Sequence, residues 1–229
     1  LQSPLKKSAN DEPLQREGPA FTRGRQILKA AFALFVREGG TGFSTRGVAK
    51  EAGVSLGAVQ YTFPTKESLL AGMLEHVLAE YEADYRRVTD ALPFNGEARL
   101  LGVVEHLVED IWRDKTRKFF FNFWALGCHN DTAGRLLDAT YDHHRKRIAA
   151  YIGAARPALS ERACLELGLQ VAALLDGFMI YTGPGSLHVT RTELSNMAKI
   201  AVLKLLDTPA AGRTTRRGRG GRRRSRAKP

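Results

Sequence analysis

STRGVAKEAGVSLGAVQYTFPTKESLL, residues 44–70, is the stretch whose residue types and spacings specify a job as well as a fold. From Thr45 to Ala52, the residues Val48, Ala49 and Ala52 fall on one face of a short helix, and Gly53 then tolerates positive φ at a sharp reversal. Val54 can plug the turn. Ser55 is a good N-cap for a second helix, on which Ala58, Val59 and Phe63 recur at helical spacing toward a core. Pro64 ends that helix after barely two turns. The pattern is that of a helix-turn-helix.

So short a helix adds little core, and its value lies in its other face. Leu56, Gly57, Gln60, Tyr61 and Thr62 are read as pointing outward. Gly57 lets the backbone come close to a surface, while Gln60, Tyr61 and Thr62 carry donors and acceptors that reach base edges or phosphates. Two helices at a steep angle, joined by a turn containing Gly, lay the second helix in a DNA major groove.

Toward the N-terminus, residues 21–38 read as a supporting helix with Ile27, Ala31, Leu34 and Phe35 on one face, stopped at Gly39 and Gly40. Arg23 and Arg25 near its start can approach phosphate. Residues 1–20 are polar, contain Pro4, Pro13 and Pro19, show no periodicity and read as a disordered arm. The chain begins without Met, so part of this arm is expected to be a processing remnant. Toward the C-terminus, Thr65 caps a long fourth helix. Its stripe of Leu69, Leu70, Met73, Leu74, Val77, Leu78 and Tyr81 lasts until Pro93. That helix begins at Lys66, beside the DNA, and ends in a second domain, which makes it the expected lever between them.

Residues 21–70 resemble the DNA-binding domain of TetR-type transcriptional regulators, with the pieces in the family's order: Gly42-Phe43, Thr45, Val48-Ala49, Ala52-Gly53-Val54-Ser55, Gly57, Phe63-x-x-Lys66 and Leu69-Leu70. The resemblance implies an all-helical homodimer whose two recognition helices bind a palindromic operator and release it when a small molecule enters the C-terminal domain. It implies phosphate anchoring by Thr45 and Lys66 and groove contacts by Tyr61 and Thr62; the whole DNA-facing set expected here adds Arg46, Ser55, Leu56, Gly57 and Gln60. Gln60 stands where the family usually has an aromatic residue and Leu56 where it often has Lys, so a phosphate contact is lost or remade here. The C-terminal part resembles the subgroup that includes the choline-responsive repressors of betaine synthesis.

With 229 residues, 43% of them hydrophobic, the chain can bury a core in one large or two modest domains. The two cysteines, Cys128 and Cys164, lie inside helical apolar patterns and read as reduced core thiols, which suits the cytoplasm. The most apolar run, residues 163–181, is interrupted by Glu166, Gln170 and Asp176, which argues against a membrane span. The formal charge of +11 is uneven: residues 213–229 hold nine Arg or Lys and no acid, leaving about +2 for the rest. This Arg/Gly-rich tail, within residues 208–229, reads as disordered and able to add salt-sensitive nucleic-acid affinity, RNA included.

Beyond residue 96 four or five more helices are legible, for about nine in all. The fold class is therefore all-α: an N-terminal three-helix domain with the helix-turn-helix (residues 21–66) and a C-terminal effector-binding and dimerisation bundle (residues 67–207). Residues 119–124, FFFNFW, are apolar around most of a helix, which suits an enclosed element, either plain core or the wall of a ligand cavity. Pockets in helical bundles are lined by aromatics with a few convergent polar groups. The candidate walls are Trp112, Phe120, Phe123 and Trp124, and the candidate polar members Asn122, His129, Tyr141, His144 and Asp176. A quaternary ammonium would suit such walls, as would a planar aromatic, a fatty acyl group or a drug.

The last two helices, residues 159–182 and 191–206, carry more apolar circumference than one partner can bury. They are the expected dimer interface, through Leu165, Leu169, Leu174 and Phe178 on the first and Met197, Ile200 and Leu203 on the second, with residues 182–188 as the loop between them. The sequence has no P-loop, GxSxG, HExxH or spaced Cys/His set, so no catalytic residue, cofactor or metal is expected. Asp142-His143-His144 and the pair His106 and Asp110 read as solvated helical surface. Buried Asp176 must find a partner. The expected partners are thus duplex DNA with a palindromic operator, a second copy of the chain and a small-molecule effector. The rival is a sequence-independent nucleic-acid binder driven by the tail.

Overall fold

The computed structural model describes residues 19–92, 95–183 and 189–207; the N-terminal arm up to residue 18, most of the loop at 182–188 and the basic tail from residue 208 lie outside the described residues. Among the described residues there are nine helices and no strand. They are α1 (Pro19–Gly42), α2 (Thr45–Ala52), α3 (Leu56–Thr62), α4 (Lys66–Asp90), α5 (Gly96–Trp112), α6 (Asp114–Gly127), α7 (Asp131–Ala155), α8 (Glu161–Tyr181) and α9 (Arg191–Asp207). Most ends fall where local chemistry puts them. Ser44, Ser55, Asn95 and Ser160 each accept a first-turn N–H. Gly39, at φ 68°, breaks the regular course of α1 where the Gly-Gly pair predicts a stop.

The helices pack as two units, one formed by the residues up to Arg86 with Lys115–Thr140, the other by Arg87–Asp114 and the residues from Tyr141 onward. This division differs from the functional boundary drawn from the sequence at residue 66. All but the last turn of α4, all but the first residue of α6 and the start of α7 pack with the helix-turn-helix.

In the first unit, Ile27, Ala31 and Phe35 of α1 meet Leu69, Met73 and Leu74 of α4, with Val48 and Val59 sealing α2 and α3 onto the same core. Phe119 of α6 is fully buried, edge-on to Phe32 (5.5 Å between ring centroids) and Phe35 (6.0 Å) and tilted against Tyr81 (6.0 Å). Burying each such side chain contributes roughly 1.5–3 kcal/mol. The Tyr81 hydroxyl donates to Thr116 Oγ1 at 3.1 Å, so the polar tip of α4's ring is satisfied inside this seam.

The second unit has its own core, in which Leu100 and Val104 of α5, Ile148 and Ile152 of α7, Leu167 and Val171 of α8, and Ala198 and Val202 of α9 interlock. A Cβ on Gly168 would lie 2.8 Å from the Arg145 carbonyl oxygen, so α8 can approach α7 this closely only without a side chain there. Arg156 joins Glu97 (2.6 Å) and Asp207 (3.2 Å), tying the ends of α5, α7 and α9. By length and composition α8 passes for a membrane span. Its buried face, from Ala163 and Leu167 through Val171 and Leu175 to Met179, is core. Cys164 is the buried thiol expected, but Cys128 is exposed beyond the end of α6 and is not a core thiol; the two are not joined in a disulfide.

Candidate nucleic-acid interface

The turn and the short helices on either side of it are held by local side-chain and backbone bonds. The Ser44 hydroxyl accepts from Gly47 N (3.1 Å), opening α2. Gly53, at φ 65° and ψ 31°, closes it by turning its own N–H and that of Val54 back onto α2 carbonyls. From α1, the Gln26 side-chain amide donates to Ala52 O at 2.8 Å and pins the turn. Ser55 Oγ accepts from Ala58 N (3.2 Å), opening α3 two residues after the turn.

On α3, Val59 is fully buried and Leu56 half-buried against the core, as are Val54 and Phe63 on either side of the helix. Leu56 therefore does not face outward as the sequence reading has it; it helps seat the helix. The opposite face consists of Gly57, Gln60, Tyr61 and Thr62, all exposed, with Tyr61 92% accessible. The Thr62 hydroxyl turns back to donate to Ala58 O (3.1 Å), leaving its lone pairs outward. Ser55 is likewise committed to its cap, although its own O–H remains free to donate.

Thr45 is half-buried at the start of α2, next to exposed Arg46. Lys66 is exposed at the first position of α4, which is capped independently by reciprocal bonds between Thr65 and Ser68 (3.1 and 3.0 Å). Neither Arg46 nor Lys66 has an ion-pair partner among the described residues, so both charges stay available to phosphate. Arg37 differs: it hydrogen-bonds Glu51 (2.9 Å) and thereby holds that carboxyl below its ordinary range. The chemistry presented is a protruding phenol, an amide, a hydroxyl acceptor and two free cations around a helix with no side chain at one exposed position. That set suits base edges and phosphates.

The residues expected from sequence to line an effector pocket are divided between the two units. Phe120, Asn122, Phe123, Trp124 and His129 belong to the first unit, Trp112, Tyr141, His144 and Asp176 to the second. Phe123 is fully buried core, His129 is exposed, and Asn122 donates its amide to Phe35 O at 2.9 Å. Phe120 and Trp124 are half-buried neighbours, 6.3 Å apart. In the second unit Trp112 packs on the core and His144 is half-buried, while Tyr141 does meet Asp176. Burial pushes the Asp176 carboxyl up to about 6, partly offset by the hydrogen bond from Tyr141. The second unit also has an open groove of about 520 Å³ whose lining includes Ala149, Ala150, Gly153, Cys164 and Leu165 between Lys146 and Glu161. None of the expected pocket residues lines it.

On the proposed subunit interface, Leu169 (54% accessible), Met197 (49%) and Ile200 (53%) are exposed, joined by Ile180 and Tyr181. Leu165, Leu174, Phe178 and Leu203 are half-buried. Asp142 is occupied by Arg145 and Lys146 and Asp110 by Arg113, and no cluster of three or more metal-ligating side chains occurs among the described residues. Ser44, Gln26 and the true partner of Asn122 escaped the sequence reading. Only the Ser-x-x-Gly spacing at residues 44–47 carried a local signal.

Residues 27–73 match the family model for bacterial regulatory proteins of the tetR family, and residues 96–207 match that for the C-terminal domain of BetI-type transcriptional repressors. Between them the matches span more than half of the chain. The chain is 24% identical over 170 residues to the HTH-type transcriptional regulator BetI of Vibrio vulnificus, covering 73% of this chain and 84% of that one. Among solved structures, a candidate transcriptional regulator from Pseudomonas aeruginosa PAO1 superposes with a TM-score of 0.73 at 22% identity, covering 83% and 93% of the two chains. Another, from Saccharomonospora viridis and solved in complex with choline, has a TM-score of 0.66 at 20% identity, covering 81% and 95%. Both show the same fold.

Proposed function

This chain belongs to the TetR family of bacterial regulatory proteins and is a DNA-binding transcriptional regulator, and on that premise we propose that it is a cytoplasmic repressor, dimeric on a palindromic operator and released by a small molecule. The observation that carries the DNA-reading role is the exposed face of α3, where Tyr61 projects 92% accessible from a helix whose other side is sealed into the core. The proposed DNA contacts are Thr45, Arg46, Ser55, Gly57, Gln60, Tyr61, Thr62 and Lys66. Association through α8 and α9 is supported by the exposed Leu169, Ile180, Met197 and Ile200, which a second copy would cover. Two readers about 34–36 Å apart multiply their discrimination, which one short helix cannot supply alone.

The effector is assigned to the helices beyond residue 67. The Asp176–Tyr141 pair supports a polar anchor in an apolar setting, and the choline complex of the Saccharomonospora viridis relative makes choline the first probe. Selection of bound duplexes from a random pool tests the whole reading. The expected result is one palindromic site bound by two chains. On it, Tyr61→Ala should cost about 10- to 100-fold while binding to random DNA hardly changes. Lys66→Ala should weaken both alike and lower the log–log salt slope by about 1. Equal losses on every sequence in both variants would overturn the assigned roles.

A further inference from the structure

Every core-facing side chain along α6 is apolar except Thr116, which meets Tyr81, buried Arg117, and Asn122. An amide placed beside Phe119 and Phe123 is costly unless it is paired. It is paired with a main chain: Asn122 Nδ2 donates to Phe35 O at 2.9 Å and lies 3.5 Å from Val36 O. A helix leaves its last four carbonyls without helical partners, and the break at Gly39 puts Phe35 and Val36 in that last turn.

α6 also lies directly on the break. A Cβ on Gly39 would come within 3.0 Å of Asn122 Oδ1, and one on Gly40 within 3.1 Å of Leu126 Cδ1. A few residues further on, buried Phe43 stands edge-on to Phe35 at 6.1 Å and Ser44 caps α2. The Gln26 bond to Ala52 holds the far end of α2. The joint between α1 and α2 has its own clasp, and that clasp is on α6.

We propose that Asn122 is a positioning residue for operator reading, its amide latching the broken end of α1 to α6 and so setting the joint from which α2 and α3 are presented. The inference rests on the DNA-reading role proposed above and adds the element that controls it. With the latch open, α2 and α3 keep their caps and their core contacts but lose their fixed presentation. Binding must then restore it, at the cost of affinity for the site that demands it.

The test uses full-length Asn122→Asp, which keeps the size but replaces the donor with an acceptor, and Asn122→Gln, which keeps an amide donor. Each is titrated with the selected operator and with random duplex at a temperature far below its unfolding midpoint. The aspartate variant should bind operator about tenfold more weakly, the equivalent of one lost hydrogen bond, and random DNA within twofold of wild type. The glutamine variant should recover most of the loss. A purely structural amide would lower the midpoint and leave operator affinity of the folded protein within twofold, which overturns the proposal.

Should the aspartate variant not fold, hydrogen exchange of wild-type amides at residues 36–44 decides. A latched joint is protected before DNA is added and gains little on binding, whereas protection acquired only with operator refutes the latch. A wild-type chain that selects no sequence would instead sink the DNA-reading role itself.

Discussion

Gly57 is a glycine that the protein itself does not require. Only Gly39 and Gly53 among the described residues have positive φ, and a Cβ at position 57 would meet nothing nearer than Ser55 Oγ at 4.0 Å. Glycine weakens a helix relative to alanine by up to about 1 kcal/mol, and α3 has just seven residues. The missing side chain therefore serves whatever approaches from outside. Gly57→Ala should raise or preserve the unfolding temperature, by the equivalent of a few tenths of a kcal/mol up to about 1 kcal/mol, and weaken operator binding at least severalfold. Thermal unfolding and a DNA titration on the same sample read the two opposite signs; unchanged binding would mean that the DNA keeps its distance there. At this scale the sequence was legible wherever partners are close along the chain, as with Gly53 and Ser55. Gln26 meets a carbonyl 26 residues away and Asn122 one 87 residues away, and no spacing rule reaches that far. Leu56 was misread because helical period alone does not say how deeply the first turn of so short a helix sits.

Among the elements, helix ends were the most legible because Gly, Pro and capping Ser mark them locally. The allegiance of α6 was the least. A helix apolar almost all round fits a ligand cavity and a core equally well by periodicity, and only packing reveals that Phe119 and Phe123 fill the core beneath α1 and α4. On α8 the signal was an inconsistency, Asp176 in an apolar run, and it leads to a pH dependence. Its folded-state value of about 6 lies above the ordinary 3.8, so the folded chain keeps this proton longer than the unfolded one. The stability linked to the group is full below about pH 4 and is lost as the pH rises through about 6. Asp176→Asn keeps an acceptor for Tyr141 and cannot ionise. Relative to wild type it should gain up to about 3 kcal/mol between pH 4 and pH 8, measured by denaturant unfolding across that range. A parallel pH dependence in the two proteins would place the Asp176 carboxyl at its ordinary value.

For the molecule as a whole, charge and specificity are carried by different parts. The formal charge is +11, and nine of its cations stand in residues 213–229, outside the described helices, so the remainder is close to neutral. The face of α3 can distinguish sequences, but most of the net positive charge is in the tail. Each phosphate neutralised contributes about 0.9 to the slope of log affinity against log salt. A chain ending at Asp207 should therefore lose up to about 8 from that slope on operator and random duplex alike, with the largest losses of affinity at low salt. Because counterion release ignores base sequence, the ratio of operator to random binding should survive the truncation. Titrations of both chains with both duplexes at two salt concentrations separate the outcomes. An unchanged slope removes the tail from DNA binding, whereas a truncated chain that no longer prefers its operator would place the recognition in the tail and revive the sequence-independent reading.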